Sequence, residues 1–154
     1  MNMGRFMNKN ELQKIAKLMV SPQKGILAAD ESTGTIKKRF DSINLESTEE
    51  NRRDWRQLLF QTKSISDYIS GVILYDETLR QKTSEGQRIV ELLSDNDIVS
   101  GIKVDKSTHP LALFPNEVIT EGLDGLRQRL EEYYEIGARF TKWRAVINLS
   151  LIHI

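Results

Sequence analysis

Cysteine is absent from the 154 residues, which excludes a disulfide framework, zinc–thiolate sites and a thiol nucleophile, and fits a reducing cytoplasm. Histidine occurs only at His109 and His153, too few and too far apart for a metal centre, so no metal and no other cofactor is expected. An excess of either charge is also lacking, since 22 Lys+Arg stand against 22 Asp+Glu. With no net field to draw nucleic acid or an anionic membrane, neither is expected as a partner, and any anion binding must come from the local placement of cations. No apolar run reaches transmembrane length. The opening stretch "MNMGRFMNKNELQKIAKLMV" has no long apolar segment of the signal-peptide kind. Its Leu12, Ile15, Ala16 and Met19 follow helical spacing instead, and Met7 offers an alternative start because residues 1–6 add little to that pattern.

What the chain does contain is enough apolar material, 39% of residues, for one globular domain with a real core. Four short apolar runs read as strands by length and β-branched content: "GILAAD" (25–30), "SGVILY" (70–75), "VSGIKV" (99–104) and "FTKWRAVI" (140–147). Segments of helical period separate them, and that alternation predicts a parallel sheet. The first crossover, "STEENRRDWRQLLFQTKSI", opens with Ser47 and Glu50 in capping-box spacing and sets Trp55, Leu58, Leu59 and Thr62 along one face. The middle one, "SEGQRIVELLSDND", has Ile89, Val90, Leu92 and Leu93 as its apolar side. The last, "EGLDGLRQRLEEYYEIG", strings Leu123, Leu126, Leu130 and Tyr133 or Tyr134 together and ends on Gly137, which suits a left-handed C-cap. No internal repeat, low-complexity tract or Pro/Gly linker marks a second domain.

Candidate chemistry gathers at strand ends. The strand "GILAAD" runs directly into Glu31, Ser32, Thr33, Gly34 and Thr35 before a basic helical segment, and carboxyl ends of parallel strands are where α/β folds bind ligands. Capping explains one such polar residue more easily than five, and hydroxyls with backbone N–H groups at a helix start suit a phosphate. The Walker spacing of a P-loop is absent. In "GIKVDK", Lys103 and Asp105 lie two apart on one strand face, as do Lys142 and Arg144 in "FTKWRAVI". Alone, Lys103 and Asp105 read more readily as a structural strand-end ion pair, and Lys142 and Arg144 equally well as an edge strand facing water. Together with Asp30 they place charge at the same end of three of four strands, a polar wall with three cations and at least one carboxylate that best fits an anionic small molecule. Asp76 and Glu77 read either as part of the same rim or as solvated turn residues, the turn being the expectation, with His109 a loop residue and "KKR" (37–39) a solvated helix face.

Several of these segments, "KGILAADESTGTI", "TEENRR", "GVILYDETL", "GIKVDK", "GLDGL" and "TKWRAVI", occur in the order in which class I fructose-bisphosphate aldolases carry them, and from about Ser21 to Ile147 the chain resembles the N-terminal part of that family. The resemblance implies the N-terminal half of a (β/α)8 TIM barrel, four parallel strands with intervening helices. It further implies metal-independent cleavage of fructose 1,6-bisphosphate to dihydroxyacetone phosphate and glyceraldehyde 3-phosphate through a lysine Schiff base, in a cytoplasmic enzyme that is homo-oligomeric at full length. By the same resemblance Asp30 corresponds to the aspartate beside the imine, and Lys142 to the lysine that helps form and collapse the carbinolamine. Lys103 and Arg144 correspond to phosphate-end ligands, and Thr35 stands where a hydroxyl, often serine, is found.

A full barrel of this kind needs eight strands and about 250 residues, and no residue here corresponds to the imine lysine, so this chain alone is expected to be inactive. The expected division is a partial barrel over 1–148 and a non-native tail over 149–154. There "LSLIHI" departs from the family pattern after "WRAVI" and matches what the transposon-end adapter of sequencing libraries encodes in this frame. Two other readings of the same residues stand beside this one: a phosphate- or partner-binding half-barrel that performs no chemistry, and a Schiff-base aldolase acting on another phosphosugar.

Overall fold

The structure, a computed structural model, describes residues 9–147; the expected tail lies outside them. Six strands and seven helices follow in chain order: α1 Lys9–Met19, β1 Gly25–Ala29, α2 Thr33–Asp41, α3 Glu49–Phe60, α4 Ile65–Tyr68, β2 Ile69–Leu74, α5 Asp76–Arg80, α6 Ile89–Asp95, β3 Val99–Lys103, β4 Ser107–Pro110, β5 Val118–Glu121, α7 Leu126–Ile136 and β6 Phe140–Lys142. Strands β1, β2, β3 and β6 form one sheet in that order, every neighbour parallel. This is the mixed α/β arc that the alternation of apolar runs predicts.

Alternation along the strands separates two faces. Val72, Leu74 and Ile102 are fully buried beneath the helices, in one cluster with Phe60, Leu79, Ile89 and Leu93. The residues between them face the other way. There the Phe140 ring lies across the neighbouring strands, so close to Gly101 that a Cβ at that position would overlap the ring. Glycine at 101 is thus a packing requirement, not a flexible joint. Because Phe140 pairs in register with Gly101 and Lys142 with Lys103, the ring and both lysines share this concave face, with the lysines at its carboxyl end. At the amino end, Ser70 donates to the Met19 and Gly25 carbonyls at 2.8 and 3.2 Å, which fastens α1 beneath the sheet.

Several expectations are corrected. The last strand stops at Lys142, not Ile147, because its partner β3 stops at Lys103; Trp143 to Ile147 are exposed. The cap of α3 is Thr48, whose side chain accepts from the Asn51 N–H at 3.1 Å, in place of the Ser47–Glu50 box. The inward face of that helix is shifted from the expected one: Trp55 and Leu59 are half-buried, Leu59 against the core, but Leu58 is 66% exposed and Thr62 is exposed, whereas Arg52, Arg56, Gln57 and Phe60 are buried. Leu123 precedes α7 and is exposed. The antiparallel hairpin β4–β5 has no counterpart in the apolar-run reading, and His109 lies in its first strand, not in a loop. Gly137, with φ 134°, does close α7. Among the described residues, no helix is long and apolar enough to cross a membrane.

Candidate active site

Three of the four strands of the arc hand their chain to the same rim. Strand β1 ends into Asp30 and Ser32, the N-cap of α2; β3 ends into Lys103 and Asp105; β6 ends at Lys142, followed by Arg144. All five residues expected at the site, Asp30, Thr35, Lys103, Lys142 and Arg144, line a single cleft of about 310 Å³, together with Glu31, Ser32, Asp105, Ser107 and Thr108.

Charge is arranged there in pairs. Lys142 Nζ donates to Asp30 Oδ2 at 2.6 Å, and Lys103 Nζ lies 2.9 Å from Asp105 Oδ2. The two lysines are direct neighbours across β3 and β6, an arrangement that like charges disfavour unless each has a counter-ion. The buried carboxylates of Asp30 and Asp105 supply one apiece. Asp105 also accepts from the Arg144 backbone N–H at 3.2 Å, while the guanidinium of Arg144 has no hydrogen bond or ion pair among the described residues. The Thr35 hydroxyl lies 3.1 Å from the Ser32 hydroxyl on the first turn of α2. The rim therefore presents ammonium, guanidinium and hydroxyl donors beside two carboxylates.

Sequence reasoning missed the layer behind this rim. Asp76 and Glu77 are not turn residues but open α5; Asp76 keeps a solvated side chain paired with Arg80, whereas Glu77 accepts from Arg52 Nε at 2.9 Å and Nη2 at 2.6 Å. Those hydrogen bonds, against the opposing effect of burial, hold the Glu77 carboxyl below the usual glutamate range, and they push the Arg52 guanidinium up. At Asp76 burial acts upward, but hydrogen bonds from Arg80 and neighbouring positive charge outweigh it, so its carboxyl is also depressed. Arg56, fully buried, donates from Nη2 to the Glu31 carbonyl at 2.7 Å. Burial lowers its pKa despite Glu31 and Glu77 nearby. The available signal was the pair Arg52 and Arg56, four residues apart and so on one helix face. Of the "KKR" segment, Lys37 pairs with Asp41 on the surface as a solvated face would, and Arg39 reaches back to Glu31 Oε1 at 2.6 Å.

Fold and rim together are those of a (β/α)-barrel protein, with four parallel strands and their intervening helices present. The family model of class-I fructose-bisphosphate aldolase matches residues 11–153. The "Probable fructose-bisphosphate aldolase class 1" of Xanthomonas campestris pv. campestris is 59% identical over 144 residues, which are 94% of this chain and 43% of that protein. "Fructose-bisphosphate aldolase 5, cytosolic" of Arabidopsis thaliana is 54% identical over 150 residues, 96% of this chain and 42% of the relative. Among solved structures, the fructose-bisphosphate aldolase of Plasmodium falciparum, in a complex with TRAP and a small-molecule inhibitor, superposes with a TM-score of 0.85 at 54% identity over 88% of this chain and 39% of that one. The chain belongs to the class-I fructose-bisphosphate aldolase family, and it spans about two-fifths of the length of these relatives.

Proposed function

We propose that this chain supplies one half of the active site of a Schiff-base aldolase that cleaves fructose 1,6-bisphosphate to dihydroxyacetone phosphate and glyceraldehyde 3-phosphate. The observation that carries the reading is the 2.6 Å contact of Lys142 with Asp30, from opposite ends of the arc. A lysine imine is a good electron sink because, once protonated, it takes up the electron pair released when the C–C bond breaks. Forming it requires loss of the carbinolamine hydroxyl as water, which needs a proton. The Lys142 ammonium can give that proton and its amine can take one back, while Asp30 fixes its position and balances its charge. Lys103 and Arg144 bind a substrate phosphate, and the Thr35 hydroxyl adds a further donor. The imine lysine itself corresponds to no residue of this chain, so the 154 residues alone bind the sugar bisphosphate without forming a borohydride-trappable adduct. The protein works in the cytoplasm and, at full length, as a homo-oligomer; the cytosolic relative supports the first of these.

The test is a chimera in which residues 11–147 replace the matching segment of the Arabidopsis relative. Cleavage activity and a borohydride-trapped adduct are expected. Lys142→Ala in that chimera should lower kcat by about a hundredfold, in the range of a lost proton-transfer group, with little change in KM. A folded chimera that binds the sugar but neither cleaves nor traps it would favour a non-catalytic phosphate-binding module, and turnover unchanged by Lys142→Ala would remove that residue's role.

A further inference from the structure

The largest side chain with no exposed surface belongs to Arg56. Its Nη2 donates to the carbonyl of Glu31 at 2.7 Å, its Nη1 lies 3.6 Å from Glu77 Oε1, and neither Nη1 nor Nε has a hydrogen-bond partner. A buried guanidinium with so few partners is a poor way to gain stability, since an apolar side chain of similar volume commonly does as well or better. Its one hydrogen bond goes to the Glu31–Ser32 peptide, one residue beyond Asp30. Otherwise the turn is held by the surface pair of Arg39 with the Glu31 carboxylate and by the first backbone bonds of α2, since β1 ends at Ala29 and Ser32, the N-cap of α2, makes no side-chain capping bond; Arg56 is the buried attachment. Behind Arg56, Glu77 is gripped by two nitrogens of Arg52, and Arg52 in turn donates from Nη1 to the Ser47 carbonyl. The chain of contacts thus runs from the α3 entrance through Arg52, Glu77 and Arg56 to the Glu31 carbonyl, and from the adjoining Asp30 across the rim to Lys142.

We propose that Arg56, held by the Arg52–Glu77 clamp, is a positioning residue that fixes the turn after β1 and thereby keeps the Asp30 carboxylate on the Lys142 amine. The functional meaning of this role rests on the reading of the rim given above, but the geometry can be tested separately. Without the pin the Glu31–Ser32 peptide can rotate and carry the adjoining backbone of Asp30 with it, the 2.6 Å contact is made for less of the time, and the Lys142 amine is freer to react. Lys103, whose partner Asp105 lies at the end of β3, has no link to Arg56 and serves as an internal control.

The experiment is reductive methylation of the 154-residue chain with formaldehyde and cyanoborohydride, followed by peptide mass spectrometry at Lys142 and Lys103. In Arg56→Met the ratio of Lys142 to Lys103 labelling should rise about threefold, the scale of a modest ion pair lost, and Asp30→Asn should raise it at least as far. Adding Arg56→Met to Asp30→Asn should change nothing more, because Arg56 acts through Asp30. A rise in both lysines together, or a further rise in the double variant, would show a merely structural role and overturn the proposal. If Arg56→Met does not fold by circular dichroism, Glu77→Gln decides: it removes the charge on the clamp, and an unchanged ratio in that variant overturns the proposal as well. Fructose 1,6-bisphosphate should protect Lys142 and Lys103 in the unsubstituted chain. A shifted ratio without such protection would sink the sugar-phosphate reading and leave the positioning role standing.

Discussion

A carboxylate and an amine 112 residues apart in the chain meet at 2.6 Å, and what holds them there is as informative as the contact. Asp30, Lys103, Lys142 and Arg144 were legible because a charge that interrupts an apolar strand is costly unless it borders a rim, a partner or a ligand. The Arg52–Glu77–Arg56 layer was not legible. Arginines on a helix read as its solvated side, and the partner that brings them inside comes from a different crossover. The clamp has a pH signature of its own. The folded state depresses the Glu77 carboxyl, so its stabilisation is complete above the unfolded glutamate pKa, about 4.3, and is lost as pH falls through the lower folded value. Thermal melts should therefore show the midpoint dropping below about pH 4.3. Glu77→Gln should lose about 1–3 kcal/mol at neutral pH, the range of a charge-assisted hydrogen bond, and flatten that part of the acid profile. An unaltered profile would mean that the acid limb comes from other carboxylates.

Among elements, the four parallel strands appeared at their expected places because short β-branched runs between helical segments admit few other readings. Boundaries and faces were less accessible, since each is set by a neighbour. Strand β6 ends where β3 ends, and α3 turns arginines inward because rim acceptors await them. Two variants separate these local rules. Thr48→Ala, which removes the side-chain bond to Asn51, should cost about 1 kcal/mol in chemical denaturation, while Glu50→Ala should cost much less because the box it would complete is not made. Gly101→Ala drives a Cβ into the Phe140 ring and should cost about 1–3 kcal/mol, as overpacking does. Adding Phe140→Leu should recover part of that loss, and additive costs in the double variant would show that the two positions do not collide. The hairpin β4–β5 escaped notice for a different reason: its residues lack clear apolar alternation. Its attachment is instead polar, through Arg129, which donates to the Val104 and Gly122 carbonyls.

At the scale of the molecule, the sheet is an arc with β1 at one margin and β6 at the other, each bonded to a single neighbour in the four-stranded sheet. A free strand margin is a template for pairing with another chain, and Ile26 on β1 is 42% exposed. Light scattering of this chain should rise with concentration, and Ile26→Lys should suppress that rise without lowering the melting midpoint; a variant that scatters as before would place the association elsewhere. The order of the sheet bears on how it is made. Because β1, β2, β3 and β6 lie side by side in the order in which the chain runs, each new strand needs only the one laid down before it. During synthesis the arc can grow from its first margin as the peptide emerges, and after β1 every strand finds a partner already made. The last to arrive, β6, brings Lys142 to an Asp30 whose strand was set in place first.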